Sequence, residues 1–332
     1  NIGKAVGVWS AGGAMINPLN ERRAGAGAQN AAIVVAGGTG GGYGDKTEEY
    51  NGSAWSAGGD SIITRNTTTA IGTVTAALLV SGLAPGNATT GSVEEYNGTN
   101  WSVGGALSIA RHYAAGAGSQ NAAIVFGGST GPPSAVTTGS SEHYDGSTWS
   151  HGGALISARH GHSGAGTENA ALSFGGVSPA YTQTAEEYNG TTWAVGGSYT
   201  TPARAYAAGA GTQNAGLHFG GDPISSCTDE YNGVSWSVGG SLINGRNALA
   251  GAGTQDAALA TGGWPHDSCT EHYDGYLPTS ASFGRIVATD FVGDVSLLTN
   301  TDISGTVSSS AQIASDISGS FTSGFSFTGT MG

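Results

Sequence analysis

The chain has few charged side chains, few basic residues and no long apolar run. Asp, Glu, Lys and Arg make up only 10% of its 332 residues, and the net charge at neutral pH is -13. Nucleic-acid binding requires a basic face that neutralises phosphates, and the 10 Lys and Arg residues form no cluster. No apolar run approaches the roughly eighteen residues of a membrane-spanning helix. We therefore expect neither a nucleic-acid partner nor a membrane span.

The chain does contain a long aromatic repeat. Five times a Tyr is followed, five residues later, by a Trp: Tyr50/Trp55, Tyr96/Trp101, Tyr144/Trp149, Tyr188/Trp193 and Tyr231/Trp236. Successive Trp residues from Trp9 onward are 46, 46, 48, 44 and 43 residues apart, a period that is typical of four-stranded propeller blades. Tyr273 lacks its Trp, whereas Trp9 opens the chain without a preceding Tyr. This pattern predicts a ring in which the first strand completes the last repeat.

Each repeat predicts four short strands and no helix, because the 3.6-residue hydrophobic periodicity of a helix is absent. The first strand is rich in Gly and Ala, as at residues 115–118, and the second is an apolar run. The third carries Glu-Glu-Tyr, as at residues 93–96, and an Asn-Gly or Asp-Gly hairpin leads into the fourth at the Trp. We expect an all-β, six-bladed β-propeller over residues 1–276, closed by an N-terminal strand at residues 6–12.

Three further features give the repeat a family resemblance. A Gly pair follows the apolar strand at Gly37/Gly38, Gly127/Gly128, Gly175/Gly176, Gly220/Gly221 and Gly262/Gly263. An Arg stands ten or eleven residues after the Trp, at Arg65, Arg111, Arg159, Arg204 and Arg246. With the spaced Tyr and Trp, these residues resemble the kelch repeat over residues 6–275. The resemblance implies a kelch-type propeller and leaves function open, since such propellers serve as enzymes, adaptors and adhesins. The second repeat departs from the pattern, with Ser81 in place of the first Gly.

The repeated Arg and Glu residues predict structural ion pairs. Six of the ten basic residues fall at the repeated Arg position if Arg23 is counted, and most repeats place a Glu beside the Tyr. We expect these pairs to hold the loops between blades, and a functional ring of arginines is the alternative.

The two cysteines, Cys227 and Cys269, occupy equivalent places in adjacent repeats. Strands are about 4.8 Å apart, which puts a third strand roughly 15 Å from the axis. Equivalent points on a six-fold ring are one radius apart, whereas bridged Cα atoms lie within about 7 Å. We therefore expect no disulfide.

Enzyme signatures occur only in incomplete form. The repeated GAG lacks the third glycine and the helix of a dinucleotide loop. Asp145 and Gly146 are adjacent, whereas the aspartate box of sialidase-type propellers has a residue between them, so we expect a turn there. Proteins with kelch repeats include copper radical oxidases, and in this sequence His112, His160 and His162 are the candidate copper ligands. Other repeats place Asn or Ala at these positions, so we expect no catalytic residue, no metal and no cofactor, with a metal or redox site as the alternative.

Loop lengths indicate where a ligand would bind. The segment between the second and third strands varies in length and composition, at residues 39–47, 83–93, 129–141, 177–185, 222–228 and 264–270. Variable loops on a rigid scaffold commonly carry recognition. Aromatic rings that stack on sugars, together with polar partners for hydroxyl groups, predict a carbohydrate surface built from Tyr43, Asp45, Tyr181, Asp222, Trp264, His266 and Asp267. The alternative is that these are ordinary loop residues.

The composition changes after Tyr276. Residues 277–332 are rich in Ser, Thr and Gly and nearly free of charge. Residues 286–291 and 321–327 alternate as strands do, but so small a segment has too little apolar surface to fold alone. We expect a short β-rich oligomerisation or attachment stem. Its segments DFVGDVSLLTN and SSSAQIASDISGSF resemble segments of virion proteins from tailed phages that infect marine cyanobacteria.

Together, the two resemblances imply a phage virion structural protein and not an enzyme. The propeller of this extracellular tail fibre or surface adhesin would recognise a host-surface glycan or protein. Residues 277–332 would contact other virion proteins and form a homo-oligomer, with a trimer favoured. The alternatives are a capsid or fibre decoration protein without receptor binding, and a secreted kelch-type enzyme that acts as an oxidase or on glycans.

Overall fold

The computed structural model describes residues 7–17, 23–38, 42–131 and 136–275. These residues form 26 β-strands and no helix. Six four-stranded antiparallel sheets are the blades of a propeller, so the prediction of an all-β, six-bladed β-propeller is confirmed. The predicted stem at residues 277–332, with its strands at 286–291 and 321–327, lies outside the described residues.

The strands follow the chain in a regular order. β1 Val8–Ala11 precedes the first blade, which comprises β2 Ala24–Ala28, β3 Ala31–Val35, β4 Thr47–Tyr50 and β5 Trp55–Ala57. The second blade comprises β6 Thr69–Thr73, β7 Ala76–Val80, β10 Val93–Tyr96 and β11 Trp101–Val103, and the hairpin β8 Leu83–Ala84 and β9 Ala88–Thr89 lies in its variable loop. The third comprises β12 Ala115–Ser119, β13 Ala122–Phe126, β14 Ser141–Tyr144 and β15 Trp149–Gly152.

The remaining blades repeat this arrangement. The fourth comprises β16 Ser163–Thr167, β17 Ala170–Phe174, β18 Thr184–Tyr188 and β19 Trp193–Ser198. The fifth comprises β20 Ala208–Thr212, β21 Ala215–Phe219, β22 Thr228–Tyr231 and β23 Trp236–Val238. The sixth comprises β24 Ala250–Gly253, β25 Ala257–Thr261 and β26 Thr270–Asp274, with β1 as its outer strand.

The N-terminal strand closes the ring as predicted. β1 pairs antiparallel with β26, and Trp9 stands opposite Tyr273. The indole Nε1 of Trp9 donates to Thr228 Oγ1 of the neighbouring blade at 3.0 Å. Trp101 makes the equivalent bond to Thr47 at 2.9 Å. Trp9 therefore bonds to its neighbouring blade in the same way as Trp101 inside the repeats.

The inner strands surround the propeller axis, and their glycines set how closely they approach. Each of β2, β6, β12, β16, β20 and β24 contacts the next, and β24 contacts β2. A Cβ atom on Gly209 would lie 2.9 Å from the carbonyl oxygen of Gly164 in the preceding blade, and one on Gly251 would lie 2.8 Å from that of Gly209. Such distances are too short for any side chain, which is why glycine recurs in these strands.

The residue after each second strand has a positive φ, and the structure corrects one predicted Gly pair. Gly127 has φ 64° and Gly175 has φ 69°, but the equivalent residue is Ala36 in the first blade (φ 61°) and Ser81 in the second (φ 60°). The first-blade pair is therefore Ala36/Gly37 and not Gly37/Gly38. Glycine is favoured here because a Cβ atom makes the left-handed conformation unfavourable.

Each blade is tied to its neighbour through the Tyr of its third strand. Tyr96 Oη donates to Glu49 Oε1 of the preceding blade at 2.6 Å, and Tyr273 Oη donates to Glu230 Oε1 at 2.5 Å. Burial and the Glu49 carboxylate together raise the pKa of Tyr96 to about 12, so the phenol stays a donor. A hydrogen bond between two neutral groups contributes about 1 kcal/mol to stability, and a bond to a charged acceptor contributes more.

The repeated Arg residues form buried ion pairs, as predicted. Their N to O distances run from 2.6 to 3.1 Å in the pairs Arg23–Glu48, Arg65–Glu94, Arg111–Glu142, Arg159–Glu186, Arg204–Asp229 and Arg246–Glu271. The five glutamates also accept backbone N–H groups; Ile62 N, for example, donates to Glu94 Oε2 at 2.6 Å. The pairs thereby hold the segments that connect consecutive blades.

The position of Arg23 differs from the prediction. Arg65 stands four residues before its inner strand β6, whereas Arg23 directly precedes β2. Its guanidinium still reaches the equivalent carboxylate, Glu48. The first blade therefore builds the same ion pair from a residue three places further along the repeat.

Cys227 and Cys269 are both free thiols.

Candidate ligand-binding site

The variable loops and the segments that enter the inner strands lie on one face of the propeller. Antiparallel strands alternate in direction, so the loops after each second and fourth strand emerge at the same edge of a blade. Backbone bridges join the two kinds of segment at His112 and Ser129, at Ala205 and Asp222, and at Asn247 and Trp264. The predicted recognition loops therefore lie around the propeller axis on this face, which we call the variable face.

Three of the predicted ligand residues come together in the fourth to sixth blades. The hydroxyl of Tyr181 donates to Asp222 Oδ2, and Asn247 Nδ2 donates to Asp222 Oδ1 at 3.0 Å. Trp264 pairs through its backbone with Asn247. The bond to Asp222, with partial burial, raises the pKa of Tyr181 to about 12. We call Tyr181, Asp222, Asn247 and Trp264 the aromatic patch.

The aromatic patch presents apolar rings beside a fixed carboxylate. Trp264 is 48% exposed and Tyr181 is 39% exposed, a large area for aromatic side chains that usually pack inside a fold. Tyr181 and Asn247 each donate a hydrogen bond to one carboxylate oxygen of Asp222, so the orientation of this side chain does not depend on a ligand.

Of the other predicted residues, Tyr43 and Asp45 lie in the first blade apart from the patch, whereas His266 and Asp267 share a turn with Trp264. Tyr43 Oη bonds to Asn87 at 2.8 Å and thereby links the variable loops of the first and second blades. Asp45 Oδ1 lies 3.4 Å from Lys46 Nζ in an exposed ion pair. His266 and Asp267 follow Trp264 in a tight turn, where His266 N donates to Gly263 O at 2.8 Å. The seven predicted residues therefore do not form one site.

Four successive backbone hydrogen bonds run around the axis on the variable face and join five of the blades in what we call the ring. In five blades the residue two positions before the inner strand has a left-handed conformation: Thr67, Tyr113, Gly161, Tyr206 and Ala248, with φ between 52° and 60°. From Tyr113 onward, the N–H of each of these residues donates to the carbonyl of the equivalent residue in the preceding blade, with N to O distances of 3.1, 2.9, 2.7 and 2.8 Å. Tyrosine is strained in this conformation, and such strain is concentrated at functional sites.

An axial cavity of about 110 Å³ opens inside this ring. Its wall consists of the five ring residues and the residue that follows in each blade: Arg23, Thr68, Ala114, His162, Ala207 and Leu249. The rings of Tyr113 and Tyr206 meet at a centroid distance of 5.1 Å. Sequence reasoning missed this cavity, although one signal was present. Tyr113 and Tyr206 are aromatic residues in the segments of nearly constant length.

Of the histidines considered as metal ligands, His162 lines the axial cavity, whereas His112 and His160 do not. Within the described part of the chain, no three His, Cys, Asp or Glu side chains are grouped so as to hold a metal ion. His112 Nδ1 lies 3.4 Å from Thr89 Oγ1, and His160 Nδ1 lies 3.1 Å from Thr137 Oγ1. Burial, with a smaller contribution from His160, lowers the pKa of His112 to about 4.

Asp145 lies in a hairpin turn, as predicted for the incomplete aspartate box. Its Oδ1 accepts the backbone N–H groups of Ser147 and Thr148 at 2.9 and 2.8 Å. Asn97 makes the same pair of bonds in the second blade. The Asp145 carboxylate therefore accepts hydrogen bonds from the backbone of its own turn.

Comparison with known proteins supports the fold. No protein-family model matches the sequence, and no curated protein matches it. Among solved structures, the chain is similar to that of YjhT, with 14% sequence identity and a TM-score of 0.65. The match covers 79% of this chain and 96% of that one. At this identity, the likeness concerns the propeller fold alone.

Proposed function

We propose that the chain is a virion structural protein of a tailed phage, a tail fibre or surface adhesin whose propeller binds a host-surface glycan. The observation that carries this proposal is the aromatic patch, where exposed Tyr181 and the side chain of Asn247 both bond to Asp222, and exposed Trp264 pairs through its backbone with Asn247. Stacking on the apolar face of a sugar, with hydrogen bonds to its hydroxyl groups, is the chemistry that such a surface offers.

The sequence resemblances supply the setting. The kelch-like repeat provides a rigid scaffold with variable loops, and residues 277–332 resemble virion proteins of tailed phages. In this proposal the stem attaches the propeller to other virion proteins and assembles it as a homo-oligomer, preferably a trimer, outside the cell. Several propellers on one fibre would add avidity to weak single contacts.

Binding to glycan arrays and adsorption to host cells test the proposal. We expect the full chain to bind, and Trp264→Ala to weaken binding at least tenfold because the stacking surface is removed. Asp222→Asn should weaken it by a smaller factor. Val234→Ala is the control: Val234 is 83% exposed in the hairpin between β22 and β23, at the opposite edge of the blade.

If the full chain binds neither glycans nor host cells, the adhesin role is wrong and a decoration role without receptor binding replaces it. Turnover of an oxidisable or glycan substrate by the purified chain would instead favour the secreted enzyme. Binding that Trp264→Ala leaves unchanged would move the receptor site away from the aromatic patch.

A further inference from the structure

We infer that one contact between blades is an acid-sensitive switch, in which protonation of His272 breaks the hydrogen bond between the sixth blade and Tyr50 of the first. We call the contact between two consecutive blades a joint. The opposite joint, between the third and fourth blades, also uses a histidine, but there Glu168 compensates for the added proton. Acid therefore loosens the propeller at one joint and leaves the opposite joint closed.

The third-strand tyrosines cross the joints to acceptors of two kinds. Four tyrosines bond to a glutamate of the preceding blade, in the pairs Tyr96–Glu49, Tyr144–Glu95, Tyr231–Glu187 and Tyr273–Glu230. The other two bond to a histidine. Tyr50 Oη lies 2.8 Å from His272 Nε2, and Tyr188 Oη lies 2.8 Å from His143 Nε2. The two histidine joints are three blades apart, on opposite sides of the propeller.

Tyr50 is the donor in its bond to His272. Its oxygen accepts the backbone N–H of Gly13, as the oxygen of Tyr96 accepts that of Gly59, so the phenol proton is left for the preceding blade. A neutral histidine ring has one nitrogen that accepts, whereas both nitrogens of the protonated ring are donors. Protonated His272 therefore cannot accept from Tyr50, and this buried tyrosine loses its partner.

The surroundings of His272 favour its neutral form. Its cross-strand neighbours, Ser10 on β1 and Leu259 on β25, do not titrate. Burial lowers the pKa of His272 below 6.5, and the Asp274 carboxylate of the same strand offsets this only in part. The stabilisation from neutral His272 is therefore fully present above the unfolded pKa of about 6.5 and is lost as the pH falls below it.

The opposite joint has a carboxylate beside its histidine. His143 Nδ1 lies 2.9 Å from Glu168 Oε1 of the fourth blade. Its cross-strand neighbours do not titrate, and Asp145, which follows its strand, accepts bonds from its own turn. Protonation of His143 turns the bond to Glu168 into an ion pair, and a charge-assisted bond is about twice as strong as a neutral one. This gain compensates for the lost bond to Tyr188.

The place of Glu168 is taken by a glutamine in four other blades. These residues are Gln29, Gln120, Gln213 and Gln255. Gln29 Nε2 donates to the backbone carbonyls of Ala258 and Tyr273 at 3.1 and 2.7 Å. The joint between the sixth and first blades therefore has a neutral amide where the opposite joint has a carboxylate. This difference in charge predicts different responses of the two histidine joints to acid.

Hydrogen–deuterium exchange of the full chain at about pH 7.5 and about pH 5 tests the inference. At the lower pH, we expect amides of β1, β4 and β26 to exchange about tenfold faster than in His272→Gln, because a buried donor has lost its partner. The glutamine oxygen accepts from Tyr50 at either pH. Comparison of the two proteins at one pH cancels the effect of pH on the exchange chemistry. At the higher pH, the two proteins should exchange alike.

The joint between the third and fourth blades supplies the matched control. In the unchanged chain, amides of β14 and β18 should show no acceleration by acid once the intrinsic effect of pH is removed. Glu168→Gln installs the glutamine of the other blades and removes the carboxylate, so acid should then loosen this joint as well. Tyr50→Phe, which has no phenol proton, is a second variant that should abolish the acid response of the joint between the sixth and first blades. Thermal melts at neutral pH show that each variant is folded.

Three outcomes would overturn the inference. In the first, the unchanged chain and His272→Gln exchange alike in acid at β1, β4 and β26. In the second, β14 and β18 of the unchanged chain loosen in acid as much as β1 and β26 do. In the third, the NMR titration of the His272 Cε1 proton has a midpoint away from the pH at which these amides loosen, so that another group drives the change.

Discussion

Trp9 stands directly opposite Tyr273, at the two ends of the described propeller, and the two rings are 4.9 Å apart between centroids. The same Trp ring lies 4.9 Å from Phe219 of the fifth blade. One residue from the first strand therefore joins the last two blades. Closure of the ring depends on this contact, and it leads to the first prediction.

Trp9→Ala should lower the free energy of unfolding by about 3 to 5 kcal/mol, the usual cost of truncating a buried Trp. Urea denaturation measures the change. Val8→Ala is the control, because Val8 is exposed in the same strand and its truncation should cost about 0.5 kcal/mol or less. A small effect of Trp9→Ala would mean that closure does not depend on the contacts of the Trp9 ring.

Ala185→Ser should stabilise the chain by about 1 kcal/mol. Trp193 Nε1 donates to Ser141 Oγ at 3.2 Å, but Trp236 Nε1 has no partner among the described residues. Ala185 occupies the place in the fourth blade that Ser141 has in the third, so a serine there supplies the missing acceptor. The midpoint of thermal or urea unfolding checks this.

Val93→Ser is the matched control for that substitution. Val93 is the equivalent residue in the second blade, but Trp149 already donates to Gly105 O at 2.8 Å. The serine should therefore bring no gain, and the lost methyl groups should destabilise the chain. Equal effects of the two substitutions would contradict the assigned hydrogen bond.

Ala36→Gly and Ser81→Gly should each stabilise the chain by about 1 kcal/mol, because a left-handed residue with a Cβ atom is strained by roughly 1 to 2 kcal/mol. The greater freedom of glycine in the unfolded chain offsets part of the gain. Gly127→Ala should act in the opposite direction, since its Cβ atom would lie 2.5 Å from Cε1 of His162. Calorimetric melting temperatures would show whether the signs differ as expected.

Stability should fall as the pH drops below about 6.5. Burial lowers the pKa of both His162 and His218 well below 6.5, so the unfolded chain binds more protons than the folded chain under acidic conditions. The contribution of each histidine to the free energy of unfolding is fully present above its unfolded-state pKa and is lost as the pH falls below that value. The loss is at most about 1.4 kcal/mol per pH unit for each histidine. Urea unfolding between about pH 7.5 and about pH 5 gives this slope.

His218→Val should reduce that slope by the contribution of one histidine. Val125 occupies the equivalent position in the third blade, so the substitution suits the fold. His151→Val, on the exposed face of β15, should leave the slope as it is. An unchanged slope in His218→Val would show that this residue does not contribute to acid sensitivity.

The repeat made most of the fold predictable. The Tyr and Trp spacing, the Asn-Gly hairpins and the apolar second strands are local signals, and every strand except β1 pairs with a neighbour close in sequence. The closure by Trp9 is a long-range pairing, but it was predictable because a partial repeat at each end implies one whole blade. The exact Gly pair of the first blade was not, because Ala36 adopts a conformation that its sequence does not favour.

The candidate site was predictable only in part. Loop variability pointed to Tyr181, Asp222 and Trp264, and the structure places them together with Asn247. It separates Tyr43 and Asp45 from them, because loops of the same kind in different blades lie at different angles around the axis. Nothing local in the sequence indicated that Thr68 and His162 line one cavity.

The sequence by itself determined the strand type, the six-fold repeat and its circular closure, because these follow from short-range patterns that recur along the chain. Only the tertiary structure decided which side chains meet at the axis. Those contacts join residues from different blades, so they depend on the distances at which the inner strands pack. Glycine sets these distances by permitting the close approach, and the spacing between the blades is absent from any single repeat.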